Sequence, residues 1–286
     1  MTRVFMFPGQ GTQRPGMGRA LLDRYPDRVA EADELLGRSV RTLCLDTPAE
    51  ELSRTELTQP AVYVVNALAY RAVREEAPEP DVAIGHSLGE YNALHAAGVF
   101  GFAEGLRLVL ARARAMARIT DGGMAAVVGM DEAVIRLLLR RAGLEAVEVA
   151  NHNTADQTII AGPLAKLETA RSMLQASGAK AVRRLEVSGP FHTRHMTPAA
   201  DEFRPAATGA ALRAPRFPVI ANRTALPYPA AGTAEVLTEQ IDHPVLWRQT
   251  VEGLLAADPA ADFHEMGDSQ VLTRLLKAVR SEGAKK

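Results

Sequence analysis

The segment that most constrains this chain lies between Asp81 and about Ala97. A short apolar strand ends in Gly85-His86-Ser87-Leu88-Gly89 and runs straight into a helix. So sharp a strand-to-helix turn forces Ser87 into strained backbone angles and projects its oxygen outward. Flanking glycines are needed because a Cβ there would strike the neighbouring turn. The helix beginning at Leu88 aims free N–H groups and its positive dipole end at the same point. A glycine-bounded turn with a helix-capping serine would use the same letters. The strand before and the helix after favour a nucleophile.

The rest of the pattern supplies a scaffold for such an elbow. Val4 to Phe7 reads as a buried strand followed at once by Pro8-Gly9-Gln10-Gly11. Helical spacing of apolar residues covers Ala61 to Arg74 and Ala103 to Arg118. Val219 to Ala221 and Ala261 to His264 read as strands, and Glu235 to Ile241, Trp247 to Ala256 and Val271 to Val279 as helices. Strands alternating with helices imply a mostly parallel sheet covered on both faces. Between Gly122-Gly123 and Ser188-Gly189 the texture differs. Strand Met124–Val128, helix Glu132–Arg141, strands Ala146–Ala150 and Gln157–Ala161, helix Leu164–Ala176 and strand Ala181–Val187 follow in turn. That β-α-β-β-α-β order fits a ferredoxin-like unit. The expectation is therefore an α/β fold: an α/β-hydrolase-like large subdomain from residues 1–122 and 188–286, with a small ferredoxin-like subdomain inserted at 123–187.

Composition excludes several functions. A formal net charge of −1 gives no bulk attraction to nucleic acid or lipid. The single cysteine, Cys44, rules out an internal disulfide and argues against a cysteine zinc site; it sits in the apolar run Leu43-Cys44-Leu45 as a buried thiol would. No stretch is long and apolar enough for a membrane helix, and the apolar N-terminus is too short for a secretory signal, so a cytoplasmic location is expected. No metal and no bound cofactor is expected.

A serine nucleophile needs a base, and histidine is the default. His86 neighbours Ser87 and should point elsewhere, and His95 lies two helical turns beyond it. His264 precedes Glu265, but no second histidine completes a zinc-protease motif. His192, in Ser188-Gly189-Pro190-Phe191-His192-Thr193 just after a strand, leads His195 and His152 on spacing alone.

Five signposts in order carry a family resemblance: Phe7-Pro8-Gly9-Gln10-Gly11-Thr12-Gln13, Thr58-Gln59-Pro60-Ala61, Gly85-His86-Ser87-Leu88-Gly89-Glu90, Arg112 within its helix, and Gly189-Pro190-Phe191-His192. In that register the chain resembles the malonyl-CoA:acyl carrier protein transacylases. It is most similar to free-standing, trans-acting acyltransferases of polyketide synthases, with the fatty-acid enzymes as close neighbours. The resemblance spans essentially the whole chain.

The resemblance implies malonyl-CoA and an acyl carrier protein as partners, and a ping-pong reaction. Ser87 is then the nucleophile and His192 the base, oriented by the backbone carbonyl of Gln240 rather than by a carboxylate. The N–H groups of Gln10 and Leu88 form the oxyanion hole, where one donor is worth about 3 kcal/mol of barrier. Arg112 clamps the malonyl carboxylate. Spacing alone does not separate Arg112 from Arg107, Arg114 and Arg118 on the same segment. Met116 and Phe191 would shape the acyl pocket, and Gln59, Asn151 and Asn153 would support the site or contact the acyl or thioester group. The family's usual Gly-Pro-Gly or Gly-Pro-His after the late strand is here Gly267-Asp268-Ser269, which should recap the last helix through a side chain. Arg183, Arg184 and Arg194 are candidates for carrier docking. The competing reading is a serine acyl hydrolase that clears carrier proteins, against which Arg112 argues; a third is a non-catalytic docking protein, which need not keep both Ser87 and His192.

Overall fold

The computed structural model describes residues 1–283. Four short strands, β1 (Arg3–Phe7), β2 (Val82–Gly85), β7 (Val219–Ile220) and the more polar β8 (Asp262–Glu265), form an all-parallel sheet in the order β7-β2-β1-β8. Both residues of β7, and all of β1 and β2 except their first residues, are buried because helices cover both faces, whereas the edge strand β8 is partly exposed. One face packs on a cluster containing Phe5, Phe7, Tyr63, Leu88 and Tyr91. The other packs on Val4, Met6, Ile84, Trp247, Leu272 and Leu276. Parallel strands need such double cover.

A second sheet is built from β3 (Gly123–Val128), β4 (Glu148–His152), β5 (Gln157–Gly162) and β6 (Ala181–Arg184), all antiparallel, in the order β4-β5-β3-β6. With helices Glu132–Arg141 and Leu164–Ala176 on one side, it has the ferredoxin-like arrangement expected, and its own core of Val127, Ile135, Leu139, Val149, Ile160 and Leu167.

Several elements depart from the sequence reading. The helix expected over 61–74 begins at Thr55 and runs to Glu76, with Pro60 inside it. Interior proline costs about 3 kcal/mol. Here every residue from Thr55 to Tyr70 except Glu56 is buried, and that packing outweighs the lost bond. Strand β4 sits two residues later than expected and bulges between Val149 and Asn151, which turns polar Asn151 and His152 inward. Strand β6 ends at Arg184 rather than Val187. Helices Arg19–Arg24, Pro26–Leu36, Val40–Leu45, Ala49–Leu52 and Thr197–Gly209 had no counterpart in the sequence reading. Ser269 accepts a hydrogen bond from Val271 N at 3.0 Å and so caps the last helix, whereas Asp268 instead accepts from Gly18 N at 3.0 Å.

Candidate active site

The elbow forms where β2 meets helix Gly89–Ala96. A Cβ on Gly89 would overlap the Phe7 carbonyl of β1, and one on Gly9 would overlap the His86 carbonyl. Both loops can therefore approach only because these positions are glycine. Ser87 stands at φ 53° and His192 at φ 62°, two of three non-glycine residues in the left-handed region among those described. Strained backbone of this kind persists only when its surroundings hold it. At Ser87 the holding group is Asn222, just beyond β7. Its Oδ1 accepts from Ser87 N at 2.6 Å, and its Nδ2 donates to Gly85 O at 2.5 Å. Nothing in the motif announced Asn222. Its only sequence signal was a polar residue directly after an apolar strand.

His192 is the histidine that reaches the serine, with Nε2 2.7 Å from Ser87 Oγ. Its Nδ1 lies 2.9 Å from the Gln240 carbonyl. A carbonyl only accepts, so the proton sits on Nδ1 and the Nε2 lone pair faces the hydroxyl. Burial, and next the Arg112 charge, push the His192 pKa down to about 3. The ring is thus a neutral acceptor at neutral pH. The rival histidines are engaged elsewhere: His86 with Asn153, His195 with the Ala146 carbonyl, and His152 with Glu132 and Gln249.

Arg112 separates itself from its neighbours by burial. It is 1% exposed, whereas Arg107 and Arg118 sit at the surface paired with Glu104 and Glu202, and Arg114 is exposed. Its Nη1 donates to Gln59 Oε1 at 2.6 Å, and its Nη2 to Ser87 Oγ at 3.1 Å and Gln240 Oε1 at 2.9 Å. Its Nε has no partner. Every group it touches is neutral. Gln59 also bonds Met116 Sδ at 3.5 Å, which brings Met116 to the same pocket. Phe191 is buried in the main core beside the base.

Gln240 works with both ends. Besides holding His192 through its carbonyl, its side-chain Nε2 donates to Ser87 O at 2.7 Å and to Glu90 Oε2 at 3.2 Å. Glu90 is fully buried; it accepts from Asn222 N at 3.1 Å and is bonded by the Tyr228 hydroxyl. Burial raises its pKa to about 7. In the sequence Glu90 stands only as the last residue of a motif, and nothing around Tyr228 marks it.

Neither Gln10 N nor Leu88 N donates a hydrogen bond among the described residues. The point where a Gly9 Cβ would stand is 3.4 Å from Leu88 N, which brings the loop carrying Gln10 against the elbow. A cleft of about 550 Å³ lies beside the elbow, between the antiparallel sheet, the last helix and the loop after β1; Gln10 and His86 line it, whereas Ser87, Leu88, His192 and Arg112 do not. Gln10, His86, Asn151, Asn153, Ile159 and Leu275 are among its walls. His86 Nε2 donates to Asn153 Oδ1 at 3.0 Å, so Asn151 and Asn153 meet the elbow through His86 and do not touch Ser87 or His192. Arg183, Arg184 and Arg194 are exposed; Arg194 is paired with Glu148 and Arg184 lies 3.9 Å from Glu168. Among the described residues no group of three or more acidic, histidine or cysteine side chains could hold a metal, and no helix is long and apolar enough to cross a membrane.

Comparison with known proteins places this geometry. Residues 4–282 match the acyl transferase domain family. The chain is 42% identical over 283 residues to the polyketide biosynthesis malonyl CoA-acyl carrier protein transacylase BaeC of Bacillus velezensis, covering 98% of this chain and 97% of that one. It is 45% identical over 282 residues to the polyketide biosynthesis protein ThaF of Burkholderia thailandensis, but spans only 24% of that longer protein. The crystal structure of a malonyl CoA-acyl carrier protein transacylase from Burkholderia pseudomallei superposes with a TM-score of 0.95 at 44% identity, covering 99% of both chains. A serine poised by a histidine at a strand–helix elbow, with a buried arginine against the hydroxyl, is thus carried on a chain that belongs to the acyl transferase domain family.

Proposed function

We propose that the protein moves malonyl groups from malonyl-CoA to the phosphopantetheine thiol of an acyl carrier protein, through an ester on Ser87, in polyketide biosynthesis. The observation that carries this reading is the buried guanidinium of Arg112, 3.1 Å from the nucleophilic oxygen and bonded only to neutral groups. A buried cation with spare donor capacity so close to Ser87 suits an acyl group that ends in a carboxylate. An uncharged acyl chain would leave its spare donor, Nε, without a charged partner.

The chemistry follows from the contacts. Ser87 Oγ attacks the thioester carbon as His192 Nε2 takes its proton. Negative charge on the former carbonyl oxygen meets the free N–H groups of Gln10 and Leu88. The C–S bond then breaks, and His192 returns the proton to the departing coenzyme A sulfur. Transfer reverses the sequence: the carrier thiol gives its proton to His192, its sulfur forms the new C–S bond, and the C–O bond to Ser87 breaks with return of the proton to Oγ. The Gln240 carbonyl keeps the imidazole in the one tautomer able to do this, though it cannot stabilise the imidazolium as a carboxylate would. The names of the relatives, and a solved complex of a type II polyketide synthase carrier protein with its malonyl-transacylase, 33% identical to this chain, support the same acceptor.

The test is the fate of a malonyl-enzyme made with labelled malonyl-CoA. Transfer to holo-carrier should far outpace loss to water. Equal loss with and without carrier would make the protein a hydrolase instead.

A further inference from the structure

The partners of Arg112 leave an electrostatic question open. A guanidinium fully removed from water normally has a carboxylate against it, because burying an uncompensated charge is costly. Arg112 donates hydrogen bonds only to Gln59, Ser87 and Gln240, and the Tyr91 ring centroid lies 5.5 Å from its guanidinium carbon. The carboxylate whose charge acts on it is Glu90, which is also fully buried. Between them stands one amide, that of Gln240. Its Oε1 accepts from Arg112 at 2.9 Å, and its Nε2 donates to Glu90 at 3.2 Å. The amide cannot flip without opposing Nε2 to the guanidinium donor, so its dipole is fixed along the line from anion to cation.

We propose that Glu90 is the resident counter-ion of Arg112, acting through the Gln240 amide, and that it sets how strongly the pocket prefers a diacid acyl group over a monoacid. The proposal rests on the reading of Arg112 as the carboxylate clamp. Its logic is a compromise. A carboxylate bonded directly to Arg112 would occupy the donors that substrate needs. No carboxylate at all would leave the cation bare and its hold on malonyl tighter. One amide of separation stabilises the cation yet leaves its contact positions to the substrate, at the cost of a second buried anion that opposes the incoming one. Glu90 is thus a specificity-determining residue that touches no substrate. The titratable groups facing it are Tyr228, Tyr91 and Arg112. Burial raises both tyrosines, so Glu90 is the group whose charge changes near neutrality.

Glu90→Gln is nearly isosteric and can keep every bond. The amide oxygen would accept from Asn222 N and Gln240 Nε2, and the Tyr228 hydroxyl would accept from the new amide nitrogen. The experiment measures single-turnover acylation of Ser87 by malonyl-CoA and by acetyl-CoA at pH 8, where Glu90 is ionised. Glu90→Gln should raise the malonyl-to-acetyl ratio about five- to tenfold, chiefly through a lower KM for malonyl-CoA. The gap from wild type should shrink at pH 6, where Glu90 takes up a proton. A structural defect would slow both substrates and leave the ratio in place, and an unchanged or lower ratio overturns the proposal. Should Glu90→Gln fail to fold, Tyr228→Phe strips one hydrogen bond from the carboxylate and favours its protonated form. The ratio at pH 7 should then rise about twofold, and no rise overturns the proposal equally. Arg112→Ala separates the two readings. If it collapses the ratio while Glu90→Gln leaves it untouched, only the counter-ion role falls. If Arg112→Ala also leaves the ratio untouched, the clamp itself is wrong.

Discussion

Two regions adjoin at the elbow, and they are built on opposite terms. On the side of the parallel sheet, Ser87, His192, Arg112, Gln240, Asn222 and Glu90 form one connected set of hydrogen bonds, buried apart from the half-buried serine. On the other side lies the cleft against the antiparallel sheet, where Gln10 Nε2 and Asn151 Oδ1 are out of water and unpaired. Buried polar atoms without partners are rare in native proteins and call for an explanation. One donor and one acceptor bordering a cleft suit a ligand with amide groups, such as a pantetheine arm. The difference teaches a division of labour. On the proposed function, the hydrogen-bonded network would carry the chemistry and read the acyl group, and the unsatisfied groups of the cleft would hold the arm. Changes in the first region should therefore alter rates of chemistry or acyl choice. Changes in the second should alter the affinity for the arm.

The largest effect should come from the oxygen itself. Ser87→Ala should abolish the acyl-enzyme, read by intact mass after incubation with malonyl-CoA, while thermal unfolding stays close to wild type. Any covalent malonyl on the variant would place the nucleophile elsewhere. Next is Arg112→Ala. Removing one partner of a buried, hydrogen-bonded charge pair costs about 2–5 kcal/mol, so malonyl loading should fall by about 30-fold or more. Acetyl loading, which never uses the guanidinium as an ion pair, should fall far less. Equal losses would dissolve the distinction between a pocket that reads the acyl group and a cleft that reads the arm.

How much of this could be read from sequence also divides along the two regions. The elbow was legible because its signal is local: a Cβ on Gly85 would strike the Gly89–Glu90 backbone a few residues on, and Ser87 sits directly between strand and helix, although the Phe7 carbonyl that Gly89 must clear is remote in the chain. The inserted unit was legible because its helices are amphipathic, and both were placed at their observed limits. Asn222 was illegible because it acts across 135 residues of chain. The network through Glu90 and the Gln240 side chain escaped for the same reason. Distance in the chain also hid which arginine is buried: Arg112 stood out only by family register until Gln59 and Gln240 were seen against it. The start at Thr55 was hidden differently, since Pro60 is a local breaker that tertiary packing overrides.

The pH dependence gives a smaller but sharper comparison. Because burial and Arg112 depress the His192 pKa to about 3, the base stays neutral and competent well below its ordinary range. Acylation at saturating malonyl-CoA should show no loss from imidazole protonation between pH 8 and pH 5, as followed by rapid quench. Stability should behave in the opposite manner. Below about pH 6.5 an unfolded histidine gains a proton that folded His192 refuses until about pH 3, so the His192 contribution to folding free energy declines on acidification across that window. Down to the ordinary carboxylate range it is opposed by Glu90, whose raised pKa makes the folded protein take up a proton first; Glu90→Gln should therefore expose the decline. An acylation limb near pH 6.5 at saturating substrate would mean the ring is far better solvated than its burial implies.

The smallest effect belongs to the cleft. Asn151 reaches its place through the bulge that turns it inward, and its Oδ1 is left without a donor. Asn151→Ala removes a group that makes no hydrogen bond through that oxygen in the free protein, so stability should hardly change. If the oxygen serves an amide N–H of the arm, the loss is that of one neutral hydrogen bond, about 0.5–1.5 kcal/mol. KM for malonyl-CoA and for holo-carrier should then rise together by about two- to tenfold, since both present the same arm, while the rate of acyl transfer from bound substrate holds. A fall in that rate with KM unchanged would place Asn151 in the reacting network, and the boundary between the two regions would have to be redrawn through His86.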